Sequence, residues 1–405
     1  MKENILVGIL ALSGVVVAQV LPPPLTGPRQ PPPATTTAQA PNGFGAPLPG
    51  LTVEEIGAFN AGLAEFTSVE KPEDGLGPIF NGRSCVQCHG TPAVGGSSPI
   101  TVTRFGRLEN GVFDPLEEKG GSLLQRFAID PAALETIPAE ANVIAQREST
   151  PLFGLGLIEA IPDSTIVANA LRPKPDGVRG RAAFITDIAS GERRVGRFGW
   201  KAQQATLLTF AGDAYRNEMG ITNRFFPREN APNGKEDLIA AFDGQADPED
   251  VVDPETGRSD TDALADFMRL LAAPPRLAPS ASARSGEQLF NQIGCATCHI
   301  PAMVTARHSV AALSEKQVNL YSDLLLHDMG ALNDGIAQAD ARPNELKTPP
   351  LWGLRVSPPY LHDGRAATVD QAIRAHDGEA RRVRERYNGL TPQLRQQVLD
   401  FLNTI

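Results

Sequence analysis

The sequence predicts a mainly α-helical protein built from two tandem domains, with extended loops and short β elements at most. The motif Cys-X-X-Cys-His occurs twice, starting at residue 85 and at residue 295, and this indicates a repeated unit. Stretches such as 285–291 and 390–402 carry apolar residues at helical spacing, and no long alternating strand pattern appears. The chain has 405 residues, of which 41% are hydrophobic and 21% charged, so it can bury the cores of two or three domains.

The N-terminus is predicted to direct export. An apolar run from Ile5 to Val17 ends at the small residue Ala18, and it is too short to span a bilayer, which needs roughly 20 residues. Residues 1–18 therefore predict a signal peptide and a periplasmic or secreted bacterial protein, with a retained anchor as the alternative. Residues 19–50 hold ten of the 35 prolines and predict a Pro-rich disordered linker, with a ligand for a proline-binding domain as the alternative.

The folded part is expected to divide into an N-terminal domain at 51–275 and a C-terminal domain at 284–405. Between them, residues 272–282 are rich in Pro, Ala and Ser. No segment after the predicted signal peptide has 18 consecutive apolar residues, so no later membrane span is expected. The formal net charge of −10 argues against nucleic acid or an anionic membrane as the main partner.

All four cysteines of the chain lie in the two Cys-X-X-Cys-His motifs. Two thiols three positions apart can each form a thioether to one vinyl group of a haem, and the histidine that follows then lies under the iron as the proximal ligand. A four-cysteine zinc site and a pair of redox dithiols are the alternatives, but a redox dithiol does not need the histidine that both copies have. The motifs therefore predict cytochrome c-like domains with two covalently bound haem c groups. Their attachment residues and proximal iron ligands are Cys85, Cys88, His89, Cys295, Cys298 and His299.

A weak internal repeat surrounds the two motifs. Phe80 and Asn81 precede the first motif by the same interval at which Phe290 and Asn291 precede the second, at an offset of 210 residues. Further along the chain, residues 150–155 resemble residues 349–354 at an offset of 199. The repeat supports one haem in each domain.

The sixth ligand of each iron distinguishes an electron carrier from an enzyme. Besides the proximal pair, the chain has four histidines, all in its second half: His308, His327, His362 and His376. The N-terminal domain offers only Met219 and Met268. Its haem is therefore predicted to be five-coordinate, or weakly held by Met219 or water, which leaves a position for peroxide or O₂. The alternative is a methionine-ligated, low-spin electron-transfer haem.

Longer motifs make the chain resemble a known superfamily. Residues 321–330 and 359–365, the latter reading Pro-Tyr-Leu-His-Asp-Gly-Arg, resemble the bacterial dihaem cytochrome c peroxidase superfamily, which includes the methylamine-utilisation dihaem enzyme and the rubber oxygenases. Residues 153–162, 198–203 and 219–223 resemble its di-haem oxidoreductase branch, also labelled thiol oxidoreductases. The resemblance implies an exported peroxidase- or oxidase-like enzyme with a reactive N-terminal haem and an electron-transfer C-terminal haem. A non-catalytic dihaem electron carrier and an O₂-activating, rubber-oxygenase-like dioxygenase are the alternatives.

The same resemblance implies an axial ligand for the second haem. In the superfamily this ligand stands fourteen residues after the histidine of the His-Asp-Gly motif, a position held here by His376. A haem held by His299 and His376 would be low-spin and of lower potential than a haem held by His and Met. At the offset of 199, the counterpart of His376 is Gly177, which cannot ligate. An exposed helix histidine at 376, with Met329 or Met303 as the ligand, is the alternative.

Distal residues also follow from the resemblance. The superfamily places the Thr-Pro-Leu segment at 150–152 over the open haem, and Arg147, Glu148 and Glu159 flank this segment. Cleavage of a peroxide O–O bond needs a group that moves a proton and a donor or cation that stabilises the departing oxygen. Glu159 is the predicted acid/base and Arg147 its charge partner; an ordinary salt bridge at the domain interface is the alternative.

Relay residues, further cofactors and partners complete the expectations. Trp200 and Trp352 are predicted to line the haem sites and relay electrons between them, with a role in the core as the alternative. His327 and His362 are expected to hydrogen-bond to haem propionates or to fix domain packing. The superfamily often holds a Ca²⁺ between its domains, so Ca²⁺ is a further expected cofactor, although no acidic loop identifies its site. The expected partners are a redox partner protein or small-molecule electron donor, and peroxide or O₂.

Overall fold

The structure is a computed structural model that describes residues 43–244 and 248–405. The predicted signal peptide at 1–18, and the predicted linker as far as residue 42, lie outside the described residues. Within the described part, ten α-helices provide most of the regular structure, in agreement with a mainly α fold. They are α1 (Val53–Thr67), α2 (Leu155–Glu159), α3 (Asp163–Leu171), α4 (Leu207–Ala214), α5 (Glu236–Phe242), α6 (Asp260–Leu270), α7 (Ala281–Ile293), α8 (Val369–Ala375), α9 (Arg381–Asn388) and α10 (Pro392–Leu402).

The strands in the same described part are mostly two to four residues long and form small antiparallel sheets. They are β1 (Ile79–Phe80), β2 (Thr101–Glu109), β3 (Val112–Asp114), β4 (Leu123–Leu124), β5 (Phe127–Ala128), β6 (Val143–Glu148), β7 (Ala183–Thr186), β8 (Arg193–Gly196), β9 (Met303–Val304), β10 (Gln317–Val318), β11 (Leu326–Asp328) and β12 (Glu345–Lys347).

The expectation of short β elements at most is wrong for one sheet. Strand β2 is nine residues long and pairs antiparallel with β3, β4 and β6 in a four-stranded sheet. The sequence hides this strand because a charged side chain, the half-buried Arg104, stands where an alternating pattern needs an apolar residue. The chain that follows β6 contacts the first Cys-X-X-Cys-His motif, where the Ser149 hydroxyl donates to the carbonyl of Cys88.

One packing unit of two helices occurs twice. Helix α1 packs on α6 in the N-terminal half, and α7 packs on α10 in the C-terminal half. In the first pair, the ring centroids of Phe66 and Phe267 are 4.7 Å apart. In the second pair, those of Phe290 and Phe401 are 5.2 Å apart. Each half therefore buries a phenylalanine from the helix before the motif against one from its last helix.

These contacts correct the predicted alignment of the two halves. The ring of Phe66 lies 6.2 Å from that of His89, as the ring of Phe290 lies 6.3 Å from that of His299. Phe80 instead lies in β1, which pairs with β5. The structural counterpart of Phe290 is thus Phe66, and the N-terminal half has fourteen more residues between this phenylalanine and its first cysteine. The matching Phe-Asn intervals in the sequence are a coincidence.

The end of the predicted disordered linker is packed, which corrects the boundary at residue 50. Phe44 and Leu48 are buried. The Leu48 N–H donates to the carbonyl of Leu270 at 2.8 Å, and the rings of Phe44 and Phe153 make an edge contact at 5.4 Å. Two apolar side chains among the prolines and glycines therefore anchor residues 43–50 on the first half of the protein.

The cores do not divide where the predicted domains divide. One buried apolar cluster extends from Phe44 to Leu271 and also includes Met303, Val318 and Leu320. A second cluster consists of residues between 290 and 405. The predicted limits, 51–275 and 284–405, stay a prediction. None of the helices in the described residues is long and apolar enough to cross a membrane.

Two glycines of α1 provide a matched test of the repeated helix pair. A Cβ on Gly62 would lie 2.1 Å from the carbonyl oxygen of Ala263 in α6, whereas nothing lies within 4 Å of one on Gly57. Gly62→Ala is expected to lower the free energy of unfolding by about 1–3 kcal/mol, because the helices must separate. Gly57→Ala is expected to raise it by up to about 1 kcal/mol, because alanine favours the helix. Denaturant unfolding of both variants measures this; equal effects would contradict the packing described.

Candidate functional site

Each Cys-X-X-Cys-His motif forms one tight turn. Residues Cys85–Gln87 and Cys295–Thr297 are 3₁₀ helices, and in each the histidine N–H donates to the carbonyl of the first cysteine at 3.0 Å. The turn therefore brings two thiols and an imidazole of each motif into one place. No disulfide joins any two of the four cysteines. Burial raises the pKa of Cys88 and of Cys295 to about 12, so these thiols are neutral at neutral pH.

Both motif histidines are held in the tautomer that suits an iron ligand. Nδ1 of His89 donates to the carbonyl of Gly96 at 3.0 Å, and Nδ1 of His299 donates to the carbonyl of Tyr321 at 2.9 Å. A ring that donates from Nδ1 keeps a lone pair on Nε2 when it is neutral. Burial lowers the pKa of both rings, that of His299 to about 4, so both are neutral.

A mainly apolar cavity lies in front of the second motif and has His376 on its other side. The rings of His299 and His376 face each other with centroids 6.4 Å apart. Nδ1 of His376 donates to the carbonyl of Ala372 at 2.8 Å, so its Nε2 is also left with a lone pair. Two imidazoles that bind one metal from opposite sides, at roughly 2 Å each, have ring centroids about 6 Å apart. The residues therefore fit a haem with two histidine ligands.

The position of His376 has a structural counterpart in the first half that differs from the predicted one. His376 is the C-cap of α8, whose N-cap is Thr368. The matching helix α4 has the N-cap Thr206 and the C-cap Tyr215, and each helix follows an isolated bridge between residues six apart. Gly177 lies elsewhere, exposed in a 3₁₀ turn, because the offset of 199 does not hold in this part of the fold.

Tyr215 is directed to a neighbouring carboxylate. It is buried, and its hydroxyl donates to Oε1 of Glu65 at 2.5 Å. Burial raises the pKa of Glu65 to about 7 and that of Tyr215 well above its usual value. The helix end that supplies a histidine in the second half thus supplies a hydrogen-bonded phenol in the first.

His327 is a packing residue. Its Nε2 lies 2.9 Å from the carboxylate of Asp323 and its Nδ1 lies 2.8 Å from that of Glu379. Burial opposes the charged ring, but Asp323 raises the pKa of His327 well above its usual value. Glu379 also accepts from the N–H groups of Arg179 and Gly180, so the charged ring joins the second half to the first.

The other two histidines differ in environment. His362 is buried in the cavity wall, its Nδ1 has no hydrogen-bond partner among the described residues, and burial lowers its pKa to about 4. His308 accepts from the N–H of Val310 in a loop, at 3.0 Å. Of the alternative ligands, Met329 lines the cavity, whereas the sulfur of Met303 accepts from Asn169 at 3.7 Å.

Glu148, Trp200 and His362 line the same cavity. Nε1 of Trp200 donates to the carbonyl of Glu148 at 2.8 Å, and its ring meets that of His362 edge-on at 6.2 Å. Burial raises the pKa of Glu148 to about 7, and the charge of Asp363 adds to this. Of the three predicted catalytic residues, Glu148 alone lines this cavity. Trp352 lines it as well.

Arg147 does not line this cavity but forms a buried salt bridge with Asp334 of the second half, and its predicted role beside a peroxide stays a prediction. Its Nε donates to Oδ2 of Asp334 at 2.8 Å, and its Nη1 donates to Gln338 at 2.6 Å. Lys201 donates to Oδ1 of Asp334 at 2.8 Å and to the carbonyl of Glu345 at 2.5 Å. All three charged groups of this Arg147–Asp334–Lys201 triad are buried. Although burial alone would raise the pKa of Asp334, the two cations lower it below its usual value.

The triad fixes the cavity wall. Arg147 immediately precedes Glu148, and Lys201 immediately follows Trp200. The carbonyl of Trp200 also accepts from the N–H of Lys347 in β12 at 2.8 Å. One carboxylate from the second half therefore sets the relative position of two cavity residues from the first.

Glu159, the predicted acid/base, has both oxygens occupied in the protein core. Oε1 accepts from the N–H of Leu207 at 2.7 Å, and Oε2 accepts from Nε of Arg269 at 2.7 Å. The carboxylate thus ties α2 to the start of α4 and to α6. This salt bridge lies within the first half and not at the predicted domain interface, and the predicted role of Glu159 in proton transfer stays a prediction.

The Thr-Pro-Leu segment at 150–152 begins beside the ring of His89. The main chain of Thr150 hydrogen-bonds to the His89 ring. The Ser149 hydroxyl donates to the carbonyl of Cys88 at 2.6 Å. The segment after β6 therefore connects His89 of the first motif to the wall of the cavity that contains His299.

A second polar cluster, which the sequence did not reveal, lies beside the first motif. The main-chain carbonyl of Glu218 accepts from the N–H of Asn81 at 2.7 Å, and its carboxylate lies near enough to Cys88 and Arg104 to act on both electrostatically. Burial raises the pKa of Glu218, which Arg104 partly offsets, and burial lowers the pKa of Arg104 to about 10. Nε of Arg104 has no hydrogen-bond partner among the described residues. The one available signal was the position of Glu218 directly before the motif at 219–223.

The ligand atoms of Cys298, Asp323 and His327 lie within 4.8 Å of one another. Because the His327 ring is held between two carboxylates and the Cys298 thiol belongs to the motif, this group does not suit a separate metal ion. Within residues 43–244 and 248–405 no other cluster of three such groups is found. The expected Ca²⁺ stays a prediction without an assigned site.

A sequence model of the family described as “Di-haem oxidoreductase, putative peroxidase” matches residues 136–405, two thirds of the chain. The chain belongs to this family. The resemblance drawn from the motifs is thereby confirmed. The match includes the second motif, the triad and the Glu218 segment.

Curated and solved relatives of this di-haem oxidoreductase are distant. Cytochrome c peroxidase Ccp of Escherichia coli (strain K12) is 24% identical over 185 residues, which are 43% of this chain and 38% of that protein. The match therefore spans well under half of the relative's length.

Among solved structures, the diheme peroxidase BthA from Burkholderia thailandensis E264 is 14% identical, over 86% of this chain and 85% of that chain, with a TM-score of 0.37. A MauG-like protein associated with microbial copper homeostasis is 15% identical, over 90% and 94%, with a TM-score of 0.40. Kuenenia stuttgartiensis hydrazine synthase is 16% identical, over 95% and 100%, with a TM-score of 0.37.

The triad of this di-haem oxidoreductase is expected to be essential for its stability. Asp334→Asn leaves Arg147 and Lys201 buried without a counter-charge, so the free energy of unfolding should fall by about 3–5 kcal/mol. Glu315→Gln removes the exposed partner of Arg307 and is the matched control, with a change of less than about 1 kcal/mol expected. Denaturant unfolding measures both; similar changes in the two variants would count against the triad.

Glu148 is expected to make stability depend on pH. A carboxyl whose pKa is raised on folding binds its proton more tightly in the folded state, so its stabilising contribution is present at low pH and is lost as the pH rises through about 7. Between pH 5 and pH 8, the free energy of unfolding should therefore fall by about 2 kcal/mol more in the wild type than in Glu148→Gln. Parallel curves for the two proteins would show that the carboxyl is not buried as described.

Proposed function

We propose that this protein is an exported, peroxidase- or oxidase-like dihaem c-type oxidoreductase with a reactive N-terminal haem and an electron-transfer C-terminal haem. The observation that carries the proposal is the asymmetry of the two sites. His299 faces His376 across a cavity, with ring centroids 6.4 Å apart. In the sequence from 51 to 280, His89 has no histidine partner.

Two haem c groups would be held in two tandem cytochrome c-like domains. Cys85 and Cys88 would attach the first haem, and Cys295 and Cys298 the second, as thioethers. When bound, the groups supply iron that accepts and donates single electrons. The repeated helix pairs α1/α6 and α7/α10, each packed against one motif histidine, support this arrangement.

The chain's residues would close the second site and leave the first one open. His299 and His376 each keep Nδ1 on a main-chain carbonyl, so Nε2 of both rings is available to one iron. At the corresponding helix end of the first half, the Tyr215 hydroxyl is directed to Glu65. An open position beside His89 would admit peroxide or O₂.

Proton transfer at the first site is assigned to Glu218, which replaces Glu159 as the candidate. Its raised pKa and the charge of Arg104 suit a group that takes a proton from peroxide and returns it to the departing oxygen. Arg104 would stabilise the negative charge that develops on that oxygen. Glu148 and Trp200 would lie between the two haems, where a tryptophan held at Nε1 and a carboxyl with a pKa of about 7 suit coupled movement of electrons and protons.

The location and partners are part of the proposal. Residues 1–18 would direct export to the periplasm or the medium, where c-type haem proteins and their electron carriers meet. The co-reactants would be peroxide or O₂ on one side and a redox protein or small electron donor on the other.

The variant Glu218→Gln tests whether Glu218 rather than Glu159 transfers the proton. It is expected to slow the second-order reaction of the holoprotein with H₂O₂ about 100-fold or more, because the variant cannot accept the proton. Glu159→Gln is the matched control and should leave this rate within twofold while lowering the free energy of unfolding by about 1–2 kcal/mol. Stopped-flow absorbance on oxidised and half-reduced protein measures both. Loss of reactivity in the Glu159 variant alone, or no peroxide reaction in the wild type, would overturn the assignment.

A further inference from the structure

Helix α9 carries the densest cluster of positive charge in an acidic protein. Its residues 381–386 read Arg-Arg-Val-Arg-Glu-Arg, while the chain as a whole has a formal charge of −10. Arg381, Arg382 and Arg386 are exposed, and together with Glu385 they line a shallow surface depression. We name this surface the α9 arginine face.

The α9 arginine face covers the second haem motif. Nε of Arg386 donates to the carbonyl of Ile293 at 2.7 Å, two residues before Cys295. Val383 and Arg384, on the inner side of the same helix, line the cavity that contains His299. A molecule bound on the outside of α9 would therefore be separated from that cavity by one helix.

Neighbouring carboxylates hold several of these arginines in fixed positions without cancelling their charge. Asp377 accepts from Nε of Arg381 at 3.1 Å and lies 3.3 Å from Arg384, and Asp176 pairs with Arg386. With Glu385, three carboxylates lie against the four arginines of α9, when the half-buried Arg384 of its inner side is included, so the helix as a whole keeps a positive balance. A guanidinium has five N–H donors, and one carboxylate contact leaves others free for a second carboxylate.

We propose that the α9 arginine face is the docking surface for a small electron-carrier protein of acidic surface, which exchanges electrons with the C-terminal haem. The inference rests on the proposed electron-transfer role of that haem. Positive charge here would attract an acidic carrier to this face in particular, since the net negative charge of the rest of the protein repels it. The acidic composition by itself would instead favour a basic partner.

The double variant Arg381→Glu/Arg382→Glu tests the surface in the holoprotein. The probe is a blue-copper protein of net negative charge, in its Cu(II) form, mixed with reduced holoprotein; one electron then passes from the haem to Cu(II), giving Cu(I). The second-order rate at low salt should fall at least 10-fold in the variant, and the wild-type rate should fall as salt is added.

Arg228→Glu/Arg307→Glu is the matched control, because it changes the net charge equally at side chains that are 82% and 88% exposed. Its rate should stay within twofold of the wild type. Equal losses in the two double variants would overturn the proposal, as would a faster reaction of the wild type with a basic blue-copper protein. Binding to phosphatidylglycerol vesicles that only the α9 variant loses, without binding to the acidic carrier, would overturn it in favour of a lipid surface.

A binding measurement separates this proposal from the proposed function. The zinc-substituted, redox-inert form of the acidic carrier is titrated into the holoprotein by calorimetry. Binding that the α9 variant weakens at least 10-fold supports the surface even if no electron passes, and in that case the role of the haem is what fails. No binding to a holoprotein whose C-terminal haem is low-spin would overturn the docking surface alone.

Discussion

The buried carboxylate of Asp334 determines how the two halves of this protein meet. It binds Arg147 and Lys201, both from the first half, and none of the three charges reaches solvent. Because a buried charge without a partner is so unfavourable, the three groups allow very few arrangements of the chain around them. Glu148 and Trp200, which are next to the two cations in the sequence, are thereby fixed in the wall of the cavity that contains His299. The triad thus sets the positions of Glu148 and Trp200 in the cavity wall.

The two sites share their attachment turns and helix pairs but differ at one helix end. At the C-cap of α8, His376 completes a pair of imidazoles; at the C-cap of α4, Tyr215 hydrogen-bonds to Glu65. In the proposed function, this difference of one side chain at equivalent positions separates a site suited to electron transfer from one open to a small molecule. The polar groups are distributed in the same way. Arg104 and Glu218 lie beside the first motif, whereas the cavity that contains His299 and His376 is mainly apolar.

The sequence predicted the parts of the site that depend on local spacing. The two motifs and their histidines could be placed because each depends on a short interval along the chain, whereas the position of His376 was implied by the resemblance to the superfamily. Glu159 and Arg147 could not be separated from Glu148, since their roles depend on partners more than a hundred residues away: Arg269 for Glu159 and Asp334 for Arg147. The repeat at Phe80 was misleading for a related reason. The first half has fourteen more residues between its packed phenylalanine, Phe66, and Cys85, and Phe80 stands by chance at the interval that separates Phe290 from Cys295. Strand β2 escaped notice because Arg104 interrupts its pattern.

The difference between the two irons is the central claim, and low-temperature EPR of the oxidised holoprotein tests it most directly, with His376→Ala as the variant. The account predicts one high-spin and one low-spin ferric signal in the wild type. In the variant only the low-spin signal should be lost, because the proximal His299 then has no opposing ligand. Two low-spin signals in the wild type, or a low-spin signal that survives the substitution, would contradict it.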